Sequence, residues 1–189
     1  MTIPQSNQAM TTLPAYLKTA VSHGRVSHAY LLEIPNLNVG LSLAYQFAQQ
    51  LLCEKQTGCG SCQSCSMVQH HTHPDLHVVS LPDDKKQISV SQIREVVQES
   101  YVKPYLGHRK VVLFTDGAAM TAQAQNALLK VLEEPPGDVV FLILCTNYMN
   151  LLETVRSRTT LLPLQQKKLS SATSSLDEDE KDTLFSLAQ

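Results

Sequence analysis

The sequence has no basic leader followed by an apolar core, and no apolar run approaches the length needed to cross a bilayer. The expectation is a soluble, cytoplasmic protein with no membrane contact. Charge is also scarce: Asp, Glu, Lys and Arg make up 17% of residues and the formal net charge is -2. Such a balance provides no global attraction to nucleic acid or anionic lipid, so any contact with DNA requires a local patch or partner proteins. A paired disulfide framework is excluded in the same way, because the five cysteines are odd in number and four of them crowd into residues 53–65.

What is present suffices for one well-buried domain and a small appendage: 189 residues, 43% of them hydrophobic. Helical periodicity predicts a first helix over 13–21, and RVSHAYLLEI ends in a buried strand at 29–34. A helix over 41–52 follows, with Leu43, Ala44, Phe47, Ala48, Leu51 and Leu52 on one face. LHVVSL at 76–81 predicts a second strand, and Ser91 is the expected cap of a helix carrying Ile93, Val96 and Val97. VVLFT at 111–115 and VVFLILC at 139–145 read as strands covered on both faces. Between them a strong helix at 122–134 is stopped by Pro135 and Pro136. The alternation predicts an α/β fold, a mainly parallel sheet with helices on both faces, with ligands at the carboxyl ends of the strands. After Leu164 the composition turns polar and serine-rich, predicting a linker within 165–189 and a last helix capped by Ser175.

Cys53, Cys59, Cys62 and Cys65 have the spacing C-x5-C-x2-C-x2-C, with small residues in GCGSCQSC that permit tight turns. A two-residue gap lets the chain fold back so that both sulfurs face one ion, and four thiolates suit a closed, structural zinc site. Reduced cytosolic thiols without a metal are the alternative; a redox pair is disfavoured because two overlapping C-x-x-C pairs compete for the same sulfurs. His70, His71, His73 and His77 are possible substitute ligands but fit surface or packing positions, and His73-Pro74-Asp75 fits a turn into the next strand. Cys145 reads as a core cysteine.

PNLNVGLS at 35–42 occupies the frame of a phosphate-binding loop, between an apolar strand and a helix, but without its lysine. Pro35 stands at the first glycine, Gly40 at the second, Leu41 at the lysine and Ser42 at the hydroxyl, with Asn38 between. A leucine cannot neutralise phosphate charge.

AQNALLKVLEEPP at 124–136, SHAYLLE at 27–33, the four cysteines, HPD at 73–75 and VRSRT at 155–159 together closely resemble bacterial DNA polymerase III clamp-loader subunits over residues 13–164. The resemblance implies an AAA+ (RecA-like) core with a zinc-binding insertion at about 53–65. That family includes ATP-hydrolysing motor subunits and the delta-prime type, which keeps the fold without hydrolysis. A motor needs the phosphate-loop lysine and an acidic pair after a strand; here FTDGAAM keeps Asp116 but follows it with Gly117 and Ala118. The pattern therefore resembles the delta-prime type, and no bound ATP is expected.

In the family a Ser-Arg-Cys motif offers its arginine to the neighbouring motor subunit's ATP. Arg158, after Ser157 and before Thr159 in place of the cysteine, matches it. The plain alternative makes Arg156 and Arg158 two solvated basic residues following a strand. Thr146 and Asn147 hold the family's polar sensor position or simply end a strand, and His28 and Tyr30 precede a strand and pack near the cleft. Ala124, Leu128, Val131 and Leu132 are expected in the core, whereas Asn126, Lys130 and Glu133 face solvent or a partner.

By this resemblance the implied partners are tau/gamma-type motor subunits and the delta subunit, with sliding clamp and primer-template DNA engaged indirectly. Family members continue into a helical lid and then a collar, whereas this sequence stops soon after its linker. It is expected to be either a fragment or a shortened member with one tail helix standing in for the lid, and without a collar a monomer in isolation is expected. Two other readings remain: a motor-type ATPase with an atypical phosphate loop, opposed by Leu41, and a zinc module gripping DNA, opposed by the few basic residues and missing aromatics among the cysteines.

Overall fold

A computed structural model describes residues 13–82 and 85–164. The expected linker and tail helix in 165–189 lie outside the described residues. The elements run α1 (Ala15–Ser22), β1 (Ala29–Glu33), α2 (Leu37–Leu52), α3 (Gln63–Gln69), β2 (Leu76–Val79), α4 (Val90–Ser100), β3 (Lys110–Phe114), α5 (Ala122–Glu133), β4 (Val139–Cys145), α6 (Glu153–Arg156) and β5 (Thr160–Pro163).

Among the described residues five strands pair in parallel, in the order β2-β3-β4-β1-β5. Period-two alternation sends successive side chains to opposite faces. Tyr30, Leu32, Val111, Leu113, Val140, Leu142 and Leu144 meet α1 and α2 through Leu17, Val21, Leu43, Phe47 and Leu51. Ala29, Leu31, Val112, Phe114, Phe141 and Ile143 meet α4, α5 and α6 through Ile93, Leu128, Val131, Leu132 and Val155. Two apolar layers enclose the sheet, which is why its central strands read as unbroken hydrophobic runs rather than alternating ones. The expected AAA+ parallel sheet flanked by helices is the observed architecture, and no helix among the described residues is long and apolar enough to cross a membrane.

Several local expectations need correction. The helix expected from residue 41 begins at Leu37, because Asn36 caps it. The cap of α4 is Ser89, not Ser91: Ser89 Oγ accepts from the Gln92 amide while the Gln92 side chain accepts from Ser89 N, a reciprocal capping box. Ser91 instead hydrogen-bonds the Ser89 hydroxyl at 2.8 Å. Tyr30 lies within β1 rather than before it, buried edge-on against Phe47 with ring centroids 5.1 Å apart. Arg156 and Arg158 do not directly follow a strand: Arg156 ends α6 and Arg158 sits in the turn before β5, a strand not expected from the sequence. The short α3, started by Cys62, was missed inside the cysteine cluster.

Candidate functional site

At the carboxyl end of β1 the chain needs only Ile34, Pro35 and Asn36 to pass into α2, so Asn38, Gly40, Leu41 and Ser42 are helical rather than looped. Asn36 Oδ1 accepts from the amides of Asn38 at 3.0 Å and Val39 at 3.4 Å, and Asn36 O accepts from Gly40 N at 2.9 Å. A phosphate cradle depends on such first-turn amides being free to point at the anion. Here the chain's own side chain takes them.

Gly40 serves another purpose. A Cβ there would overlap Ile34 Cγ2 and stand 3.2 Å from Leu144 Cδ2, so the glycine lets α2 press against the strand ends. Ile34 is fully buried and Leu41 packs against the same apolar layer, while Ser42 is exposed.

The acidic motif is closed just as firmly. Asp116 accepts from the Ala118 amide at 3.0 Å and caps a short 3-10 turn, Gly117–Ala119. A Cβ at Gly117 would lie 2.6 Å from Ile143 Cγ2, 3.2 Å from Leu144 O and 3.3 Å from Leu151 Cδ2. A side chain at that position would have to displace Ile143 and crowd the Leu144 carbonyl. Asn147 in turn caps the turn Tyr148–Asn150, accepting from Met149 N at 2.9 Å, and Thr146 is exposed. Cys145, buried nearby, has its thiol pushed up to about 12 by burial, with the Glu33 and Asp116 carboxylates adding to the effect. It is a core residue, as expected.

The four clustered cysteines converge. Their sulfurs all lie within 4.8 Å of one another, with Cys53 to Cys59 at 3.7 Å, Cys53 to Cys62 at 3.9 Å and Cys59 to Cys65 at 4.0 Å, and none is in a disulfide. Left-handed backbone at Gln56, Gly58 and Gly60 makes the turns that bring Cys59 and Cys62 back onto Cys53, at the end of α2, and Cys65, inside α3. Amides of Cys59 and Cys65 point at the sulfurs of Cys53 and Cys62, each at 3.5 Å. The Ser61 hydroxyl, then the amides of Ser61 and Cys62, hold the Cys59 thiol down to about 6, whereas burial pushes Cys65 up to about 12. This group could hold a metal ion.

None of the four histidines joins the cluster. His70 Nδ1 lies 2.7 Å from Ser66 O, His71 packs edge-on to Tyr45, and His77 Nδ1 meets Glu99 Oε2 at 2.8 Å. His73 is buried, and its Nδ1 accepts from the Asp75 amide at 3.0 Å.

Arg158 extends from the turn after α6 toward the end of α5. Its Nη2 pairs with Glu133 Oε1 at 2.7 Å, and its Nη1 donates to Thr154 O at 2.9 Å and Ser157 Oγ at 3.3 Å. Arg156 is occupied differently: its guanidinium lies over the Tyr148 ring, 5.5 Å from the centroid, and Nη1 lies 2.9 Å from Met149 Sδ. Asn126, Lys130 and Glu133 form the exposed side of α5, and Ala124, Leu128, Val131 and Leu132 its buried side. The sequence reading missed Gln125, which is buried, donates to Met120 O at 3.3 Å and accepts from Leu152 N at 2.8 Å, tying α6 to α5.

The family model described as DNA polymerase III, delta subunit, matches residues 10–168. The chain belongs to that family. Among its curated relatives, the DNA polymerase III subunit delta' of Pseudomonas aeruginosa is 42% identical over 70% of this chain and 41% of its own length. The delta' subunit of Bacillus subtilis is 33% identical over 85% of this chain and 49% of its own. This family member thus spans about half the length, or less, of the curated relatives it matches. A DNA polymerase III gamma subunit-related protein of Thermotoga maritima shares the fold with a TM-score of 0.62 at 23% identity, over 80% of this chain and 46% of that one.

Proposed function

We propose that this chain is the ATPase-fold part of a delta-prime-like, non-hydrolysing subunit of the DNA polymerase III clamp loader. It acts as a stator: it docks beside a tau/gamma-type motor subunit, offers Arg158 to that subunit's ATP, and works with the delta subunit to open the sliding clamp on primer-template DNA, which it engages only indirectly. The subunit is cytoplasmic and monomeric in isolation.

The observation that carries this reading is the phosphate loop folded into α2, its first amides bound by Asn36 and its would-be lysine position filled by Leu41 in the apolar layer. The closed position at Gly117 supports it, since an attacking water would have no carboxylate to orient it there. Arg158 retains what the chain lacks for its own use, a planar guanidinium suited to phosphate charge.

Zinc is the metal assigned to Cys53, Cys59, Cys62 and Cys65. Two thiolates bound tetrahedrally at about 2.3 Å stand about 3.8 Å apart, close to the 3.7, 3.9 and 4.0 Å sulfur separations. With all four positions taken by sulfur, the metal supplies a crosslink between α2 and α3 and no chemistry.

Titration of the chain with ATP and magnesium, followed by a phosphate-release assay, tests the loss of hydrolysis; clear binding with turnover would overturn it. In the reconstituted clamp loader, Arg158→Ala should lower hydrolysis at the adjacent motor site by roughly 10³-fold. Unchanged turnover would refute the trans role.

A further inference from the structure

The partner of Arg158 is supplied by the end of α5, and the fold holds the two elements in fixed relation. Leu132 and Val155 are buried, and the Gln125 side chain receives the Leu152 amide, so α6 cannot slide along α5. The Arg158 backbone is equally settled: its amide donates to Val155 O at 3.1 Å, and the Thr159 hydroxyl donates to the carbonyls of Val155 and Arg156. Only the side chain is left to move. It is held by one carboxylate, one carbonyl and one hydroxyl, with Arg158 35% and Glu133 49% exposed. An ion pair of that exposure is weak and screened by salt.

We propose that Glu133 is a latch for Arg158, a positioning residue that keeps the guanidinium on the subunit's own surface and releases it only to a neighbour's triphosphate. The inference rests on the trans-arginine reading above. A terminal phosphoryl group carries more charge than one carboxylate and accepts the guanidinium fork bidentately, so exchange favours the triphosphate. A diphosphate has no group at that place, and the arginine stays on Glu133. Arg158 thus makes docking respond to the neighbour's nucleotide, and the latch competes with the triphosphate, subtracting part of the affinity in that state alone.

The test measures docking of the full chain onto an immobilised tau/gamma-type subunit loaded with a non-hydrolysable ATP analogue or with ADP. Glu133→Gln and Glu133→Ala should dock roughly two- to fivefold more tightly on the triphosphate-loaded subunit and unchanged on the ADP-loaded one, while Glu133→Asp stays near the parent. Equal changes in both nucleotide states, or none, would overturn the latch. Arg158→Ala separates the two ideas. If it loses the preference for triphosphate while the Glu133 variants are inert, only the latch fails. If it behaves like the parent in docking and in hydrolysis by the neighbour, the trans-arginine reading fails with it.

Discussion

Asp75 and Tyr105, thirty positions apart, are joined by a hydrogen bond of 2.6 Å in which the Tyr105 amide donates to Asp75 Oδ1. The second carboxylate oxygen accepts from Leu106 N at 2.9 Å, and the Asp75 side chain is wholly buried. The HPD turn before β2 thus fixes the segment that leads into β3, where Tyr101, Val102, Tyr105 and Leu106 stand exposed. Asp75→Asn keeps the shape but turns an acceptor into a donor facing an N–H. It should destabilise the fold by about 1–3 kcal/mol, measured by urea unfolding, and an unchanged midpoint would mean the two amides find other acceptors.

Gly40→Ala should cost about 1–3 kcal/mol through overpacking, because its methyl would overlap Ile34. Adding Ile34→Ala removes the Cγ2 methyl from that contact. The double variant should therefore lose less than the sum of the two single penalties in thermal unfolding; simple addition would show that the crowding lies elsewhere.

Removing the proposed zinc from the four cysteines should lower stability without touching the sheet. One zinc per chain is expected by elemental analysis, and a strong chelator should lower the unfolding temperature while far-UV circular dichroism changes little. After chelation Cys59, with its thiol held down to about 6, should be the first of the five cysteines alkylated at neutral pH, since the thiolate is the reactive form. Cys145, buried and pushed up to about 12, should be protected until the chain unfolds.

His73 predicts the acid limb of stability. Burial lowers its pKa below 6.5, against a smaller opposing effect of Asp75. The folded state therefore resists a proton that the unfolded state accepts. Its contribution is fully present above the unfolded value and is lost as pH falls from about 6.5 through the folded pKa. His73→Gln should flatten that slope between about pH 7 and pH 5 in urea titrations; an equal slope would assign it to other groups.

The strands were legible because β1, β3 and β4 are covered on both faces, which leaves continuous apolar runs that differ sharply from the surrounding helices. β5 was not legible: among the described residues Thr160–Pro163 is an edge strand, paired only to β1, with Thr160 and Leu161 exposed. Helix starts were misplaced at Asn36 and Ser89 because several polar residues near each start could act as caps, and only the backbone path selects one.

The cysteine spacing, the absent phosphate-loop lysine, the glycine after Asp116 and the arginine of VRSRT were all fixed by residue identity. That much of the chemistry follows from side-chain type alone: a leucine carries no charge, and four close thiols can meet at one ion. Tertiary structure decided what those residues do instead. Ile143 and Leu151 closed the space beside Gly117, and the junction of α5 with α6 set Glu133 against Arg158. Each is a contact between elements distant in sequence, set by how helices settle on a twisted sheet, and no local pattern of residues encodes it.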